Sequence, residues 1–313
     1  MARVNLREEV SLAMSLAYLL DRIEAASPKH KPFRHLQVRN FLKPSHFDEI
    51  LNDERLAIAE TRSDRELTEV LKSKGYVPSW LPGSTSDVEQ YLDYREGKSV
   101  NISKNPTCDN IGVAYKLSAV RTGSKETLLD ELLHILQSDD FWGIIMKKAK
   151  VKPAEYTRYI AYTKYLDGHE ISPHTDSRHK PLTFLLNMNP RNLRLERKNH
   201  TALMKLRKEY NYIIDYWKHN RDVDRCWLPW KWAKAYSYHS DNNSLLVIPA
   251  SNKSFHSIKL EYNHLIAQRS LIYGSIWKKK EKVYDCPVWQ DLQIQSSNRR
   301  LINASACKQW RTE

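Results

Sequence analysis

An α+β chain is what this sequence predicts, with a helical first half set against an antiparallel β core. Apolar residues recur at three- and four-residue spacing through much of the first 150 positions, whereas runs rich in Tyr, Thr, Ile and Leu dominate after about residue 155. Helices first and strands later is the order of an α+β chain. Only 8 glycines occur, and neither a GxGxxG nor a P-loop pattern is present, which argues against a Gly-rich nucleotide-binding fold.

Taken in order, residues 5–26 read as an amphipathic helix through Leu6, Val10, Ala13, Ala17 and Leu20, ended by Pro28 and Pro32. Residues 35–42 read as a strand. A helix then starts after Pro44, with Ser45 as its expected N-cap. Residues 54–108 are polar and irregular, with short helical patches. Residues 128–148 are again helical and amphipathic, through Leu129, Leu132, Leu136, Phe141 and Ile145. Residues 157–166, 181–188, 244–249 and 269–277 read as strands.

Between the second and third of these strands, residues 190–235 read as a helical insertion carrying 12 Lys or Arg against five Asp or Glu. Leu203, Leu206, Tyr210, Ile213 and Trp217 make its apolar stripe, followed by Trp227, Trp230 and Trp232. It reads as a packed, solvated helix, as a lid or specificity element, or as a phosphate-binding surface with interleaved aromatics. No composition break or internal repeat divides the chain. The expectation is one domain over 1–313. Within it, 1–150 is a mainly helical scaffold with a strand near 35–42, 151–280 is the β core with the insertion, and 281–313 is a C-terminal extension.

With 313 residues and 41% of them hydrophobic, a sizeable core is possible and global disorder is excluded. A formal net charge of +13 favours acidic partners such as nucleic acid, anionic substrates or membrane surfaces. Cys108, Cys226, Cys286 and Cys307 lack CxxC spacing, so neither a zinc signature nor a disulfide framework is indicated, and a reducing cytosol is the default. The apolar run 11–20 follows Glu8 and Glu9 and precedes Asp21, which reads as an ordinary helix rather than a signal peptide. No stretch is long enough to span a membrane.

The chemistry concentrates in His174-Thr-Asp176, His256 and Arg269. Residues i and i+2 of a strand share a face, so an imidazole and a carboxylate aim at one point. His256 adds a second imidazole from a distant strand. Two His and one carboxylate on one face of a metal leave the opposite face open, the geometry of non-haem Fe(II) oxygenases. Arg269 can hold a carboxylate through its bidentate fork. His169, His179, His239 and His264 read as loop or surface residues, while Arg178 and Lys180 are candidates to pair with an anionic group.

This arrangement resembles the prolyl 4-hydroxylase-like branch of the 2-oxoglutarate/Fe(II)-dependent oxygenases. The residues that carry the resemblance are Tyr165-x-x-Gly168…His174-x-Asp176, Leu182-Thr-Phe-Leu-Leu-Asn187, Leu245-Leu-Val-Ile-Pro249…His256 and Arg269-Ser-Leu. It covers most of 35–278, thins across 54–125 and is absent in the insertion. It implies a double-stranded β-helix, the jelly-roll or cupin-like architecture. It implies His174, Asp176 and His256 as iron ligands, and Arg269 as the partner of the distal carboxylate of 2-oxoglutarate. Tyr165 is then the hydroxyl partner of that carboxylate, with Tyr162 as second choice. Tyr273 and Ser275 share a strand face with Arg269 and would line the pocket. Two departures stand out: the His256–Arg269 gap of 13 is longer than usual for the family, and Leu271 occupies a position where a hydroxyl is expected.

The implied cofactors are Fe(II), 2-oxoglutarate as cosubstrate and O2, with succinate and CO2 released. The expected reaction is hydroxylation of an unactivated C–H of a small molecule such as an amino acid or specialised metabolite, anionic substrates included. A carboxylate at Asp176 favours hydroxylation over halogenation, since halogenases of the superfamily carry Gly or Ala there. Alternatives are a peptidyl, prolyl-type hydroxylase, a nucleic-acid-acting oxygenase, and a non-enzymatic basic binding protein. Nucleic acid ranks lower because Arg269-Ser-Leu-Ile-Tyr-Gly-Ser lacks a second arginine. A cytoplasmic monomer or homodimer without membrane contact completes the expectation.

Overall fold

The computed structural model describes residues 15–79, 87–98, 112–118, 127–225 and 227–279. The start of the first expected helix, the C-terminal extension and all four cysteines lie outside the described residues. Among the described residues, seven α-helices and eleven strands follow in the order α1 (Tyr18–Ala25), β1 (Leu36–Val38), α2 (Pro44–Leu51), α3 (Asp64–Ser73), β2 (Val77–Ser79), α4 (Val88–Arg95), β3 (Ala114–Ser118), α5 (Leu128–Gln137), α6 (Asp139–Ala149), β4 (Tyr156–Tyr165), β5 (Glu170–His174), β6 (Leu182–Asn187), β7 (Thr201–Leu206), α7 (Tyr212–His219), β8 (Ala233–His239), β9 (Leu245–Pro249), β10 (His256–Lys259) and β11 (Arg269–Lys278).

Helix ends follow local chemistry. Ser63 and Asp87 cap α3 and α4 by accepting from Glu66 N and Gln90 N, and Thr127 with Asp130 forms a capping box on α5. The helix expected over 128–148 is broken at Ser138, whose extended backbone (ψ 153) ends α5 and whose side chain caps α6 by accepting from Phe141 N. The cap expected at Ser45 is not formed: Pro44 already occupies the first turn of α2, which has no side-chain cap.

Eight consecutive strands, β4 to β11, distribute themselves over two facing sheets. The larger has the order β1-β9-β6-β11-β4-β3-β2 and the smaller β5-β10-β7-β8, with neighbouring strands antiparallel throughout both. Four core strands per sheet, β9-β6-β11-β4 against β8-β7-β10-β5, make the double-stranded β-helix that the sequence predicts.

The outer face of the larger sheet is covered by α1, α5 and α6. Phe141 and Trp142 of α6 pack on Phe184 of β6 at centroid distances of 5.2 and 5.5 Å. Gly274 of β11 makes room for that ring, since a Cβ there would sit 2.1 Å from Phe184. The inner face is lined by Leu185, Leu203, Leu246, Ile248, Ile258 and Leu271.

Residues 190–235 require a correction. They are not one helical insertion, because β7 and the start of β8 lie inside them as core strands of the smaller sheet. The excursion proper is 207–232, with α7 as its α-helix. The run Ala202-Leu203-Met204 is buried on both faces: Leu203 points into the barrel, while Ala202 and Met204 pack outward on Ile213, Trp217, Trp232 and Phe255. Burial on both faces erases the two-residue alternation, and Leu203 with Leu206 then mimics a helical stripe.

Lys164 of β4 is fully buried on the outer face, between the rings of Tyr76 and Tyr162, and donates to Ser270 Oγ at 3.3 Å. Burial, with Lys74 adding, lowers its pKa to about 7. A lysine whose folded pKa lies below its unfolded value destabilises the fold fully below the folded value, and the penalty fades as pH rises toward the unfolded value near ~10.4. Lys164→Met therefore stabilises the protein by an amount on the order of 2–5 kcal/mol at pH 6, shrinking by pH 9, as read by urea denaturation at both pH values. An equal or negative effect at pH 6 contradicts this account of Lys164.

Candidate active site

His174, Asp176 and His256 come together at one end of the barrel. His174 closes β5 and stands in register with His256, which opens β10, and their rings are 4.2 Å apart. Asp176 reaches the same point from the loop after β5 rather than along a continued strand. One ligand atom from each of the three lies within 4.8 Å of the others, and all three residues are buried.

Their electronic state suits a divalent metal. Nδ1 of His174 and of His256 faces the carbonyl two residues upstream, Ser172 O at 2.9 Å and Ser254 O at 3.1 Å. Donation there assigns the proton to Nδ1 and leaves each Nε2 lone pair for a ligand. Burial and the neighbouring His256 hold His174 neutral, with a pKa of about 3, and burial lowers His256 as well. Burial alone would raise the Asp176 carboxyl, but the Lys180 ammonium outweighs it and keeps the group well below the usual carboxylate range. Lys180 Nζ donates to Asp176 Oδ1 at 2.8 Å and Thr183 Oγ1 to Oδ2 at 2.7 Å, which fixes the carboxylate's orientation. Two neutral imidazoles and one ionised carboxylate, each held from behind, fit a metal that keeps open positions.

Deeper in the barrel lies an unpaired cation. Arg269 opens β11 opposite Tyr165 and is only 2% exposed. Its Nη2 donates to Thr201 Oγ1 at 3.0 Å, its Cζ lies 5.2 Å from the Tyr165 ring centroid, and its Nε has no partner. No described carboxylate pairs with it, although burying a guanidinium without a counter-charge is costly. Thr201 precedes Leu203 by two residues, and Leu203 is in register with His256. At ~3.3 Å per strand residue, the guanidinium contact lies about 7 Å along the barrel from the level of the triad.

Sequence reasoning missed two residues here. Tyr262 accepts from Arg269 N at 2.8 Å and donates to the Tyr165 carbonyl, tying β11 to β4. His169, expected in a loop or on the surface, is fully buried with its ring 4.8 Å from Tyr165, and neither ring nitrogen has a partner. Burial, then Arg269, holds it neutral with a pKa of about 3. Gly168 (φ +80) turns the chain into His169, and Gly112 lets the two segments touch, since a Cβ there would be 2.1 Å from His169 N. The unpartnered ring nitrogens of His169 and Nε of Arg269 are buried groups that could hold an anion. The Tyr165-x-x-Gly168-His169 turn was the available signal.

The remaining site residues divide. Tyr165 lies inside the barrel and offers its ring face to Arg269. Tyr162 does not join it: it faces the helices, where its hydroxyl donates to Met188 O at 3.3 Å, because three residues along a strand reverses the side. Tyr273 is half-buried inside, 5.1 Å from Lys180 Nζ, and Ser275 is buried, accepting from Trp277 Nε1 at 3.0 Å. Arg178 is committed to structure: its backbone N donates to Asp224, and its guanidinium to Val223 O and Trp217 O, which stitches the 207–232 excursion to the Asp176 loop. His239 and His264 are also buried rather than exposed, and His264 pairs with Asp64 at 2.6 Å.

A pH prediction follows from the buried imidazoles. His169, His174 and His239 each have a folded pKa of about 3, below the ordinary value of 6.5. Unfolding then takes up protons, so metal-free stability falls as pH drops from about 6.5 toward 3, with each histidine adding up to ~1.4 kcal/mol per pH unit. Denaturation midpoints at pH 7, 6 and 5 check this, and a flat profile contradicts it.

No protein-family model matches the sequence, and no curated protein matches it. Solved structures similar to this chain include a Pseudomonas putida prolyl-4-hydroxylase, 12% identical with a TM-score of 0.37, covering 85% of this chain and 100% of that one. A 2OG-Fe(II) oxygenase family oxidoreductase from Burkholderia pseudomallei is 9% identical with a TM-score of 0.31, covering 74% and 98%. The epimerase SnoN, in complex with Fe3+, alpha ketoglutarate and nogalamycin RO, is 9% identical with a TM-score of 0.38, covering 84% and 83%.

Proposed function

We propose that this chain is an Fe(II)- and 2-oxoglutarate-dependent oxygenase that hydroxylates a C–H bond of a small molecule. One observation carries the reading: an open-faced set of two histidines and a carboxylate shares a barrel with a buried guanidinium that lacks a counter-charge. A dicarboxylic keto acid satisfies both, with its keto-acid end at the triad and its distal carboxylate at Arg269.

Bound Fe(II) with the keto acid supplies O2 activation, so that substrate C–H, 2-oxoglutarate and O2 give alcohol, succinate and CO2. The protein binds and orients. His174 and His256 present Nε2, and Asp176 presents a carboxylate kept ionised by Lys180. Arg269 and His169 hold the distal carboxylate, His169 as a neutral donor. Leu185, Leu203 and Leu271 keep water from the reacting atoms. Arg178 and Arg225 tie the excursion to the loop that carries Asp176, which places it beside the site as the element to select a small substrate.

Protein reconstituted with Fe(II) and supplied with 2-oxoglutarate and O2 is expected to release succinate above the metal-free background, and faster with a true substrate in a screen of amino acids, peptides and nucleosides. No succinate above that background, from protein shown to be folded, contradicts the reading.

A further inference from the structure

At the mouth of the barrel two lysines stand directly opposite each other with no acid between them. Lys205 of β7 and Lys234 of β8 are cross-strand partners in the smaller sheet. Both side chains are exposed; like charges directly opposite each other weaken a sheet, and a bound anion would relieve that repulsion. Neither makes an ion pair with a described carboxylate.

Their direction follows from the pleat. Thr201 and Leu203 point into the barrel, and Ala202, Met204, Leu206 and Ala233 point outward against the 207–232 excursion. Lys205 therefore lies on the inner face, and Lys234, its partner, with it. Leu203 is in register with His256, so Lys205 stands about 7 Å further along the barrel, on the side away from Arg269. A β-bulge beside this pair places Tyr236 opposite no residue of β7. Its ring is 47% exposed, with Lys205 Nζ 4.2 Å from its centroid. Besides Lys180, which is paired with Asp176, Arg269 lies on the deep side of the triad, and Lys205 and Lys234 lie on its open side.

We infer that the substrate is a phosphate monoester whose dianionic group sits between Lys205 and Lys234 while its carbon skeleton reaches toward the triad. The inference rests on the oxygenase reading for the word substrate, but the anion site stands on its own geometry. Two adjacent ammonium groups match a charge near −2, which a phosphate dianion supplies and a single carboxylate does not. Lysines act as point charges suited to phosphate, and the fork that favours a carboxylate is absent here but present at Arg269. Tyr236 gives an aromatic or sugar-like portion of the ligand a surface to rest on.

The test uses the full chain and two probes of similar shape, phenyl phosphate and benzoate, followed by isothermal titration calorimetry. Phenyl phosphate is expected to bind saturably and at least tenfold tighter than benzoate. The Lys205→Gln/Lys234→Gln variant is expected to lose that preference, whereas Arg269→Gln keeps it. Lys205→Glu, which turns the repulsive pair into an attractive one, is expected to raise the melting temperature of the ligand-free protein while abolishing phenyl phosphate binding. Equal binding of both probes, no saturable binding, or binding that survives the double variant overturns the inference. Titration of 2-oxoglutarate on the same wild-type sample separates the two readings. If 2-oxoglutarate binds and phenyl phosphate does not, only the phosphate site falls. If phenyl phosphate binds at the lysines and 2-oxoglutarate does not bind, the oxygenase reading falls and the anion site remains.

Discussion

Asp176→Ala is expected to lower metal affinity at least about 100-fold and to bring succinate release down to the metal-free background. The change removes the one anionic ligand. Even changes to groups that merely support a ligand cost about 10–100-fold, so loss of the ligand itself sets the lower end. It also strands Lys180, which is 5% exposed and has its carboxylate partner in Asp176. Breaking a buried pair from one side costs about 3–5 kcal/mol, so the alanine variant is also expected to melt earlier. Asp176→Asn keeps the shape and a hydrogen bond to Thr183, and separates loss of metal from loss of fold. Equilibrium titration with Mn(II), read by electron paramagnetic resonance, gives the affinities. Wild-type affinity in a folded Asp176→Asn or Asp176→Ala protein would remove the carboxylate from the ligand set.

Arg269→Ala is expected to weaken 2-oxoglutarate binding about 30-fold or more, since losing one buried charged contact to a carboxylate costs on the order of 2–5 kcal/mol. Its cost to the ligand-free protein is expected to be smaller than that of truncating most large buried residues. The guanidinium has no described carboxylate to leave behind, and burial lowers its pKa before any other influence. Removing it relieves an uncompensated charge while opening a cavity, and the two effects oppose each other. Saturating 2-oxoglutarate at about 100 times its dissociation constant stabilises a binding protein by ~2.7 kcal/mol. That ligand-induced shift is expected in full in wild type and to fall to ~0.9 kcal/mol or less in Arg269→Ala at the same concentration. A shift of equal size in both would place the distal carboxylate elsewhere.

The candidate site was legible in the sequence because His174, His256 and Arg269 sit at the ends of strands, where spacing translates into direction, and Asp176 follows the end of β5 by only two residues. His174, Asp176, His256 and Arg269 all occupy the inner face or mouth of the barrel, and Tyr162 was separable from Tyr165 by strand parity alone. What stayed hidden was hidden for physical reasons. β7 has apolar residues on both faces, because α7 and Trp232 cover its back, so its alternation vanished and it passed for helix. Ser138 splits a helix whose apolar stripe continues without interruption across α5 and α6. His169 looked like an ordinary polar residue after a glycine turn. Only packing shows that Gly112 and Gly168 press its backbone into the interior, where its ring finds no partner. Lys205 and Lys234 are 29 positions apart, and nothing in the chain announces that they face each other.

If one small molecule bridges the triad and Arg269, binding at the two ends is thermodynamically linked. Mn(II) affinity measured with and without 2-oxoglutarate, in wild type and in Arg269→Ala, reads the coupling between the two ends. Bridging predicts that saturating 2-oxoglutarate tightens Mn(II) binding at least about fivefold in wild type, that the tightening is lost in Arg269→Ala, and that Mn(II) binding without 2-oxoglutarate is the same in both proteins. Metal affinity indifferent to 2-oxoglutarate in wild type, or tightened equally in Arg269→Ala, would contradict it.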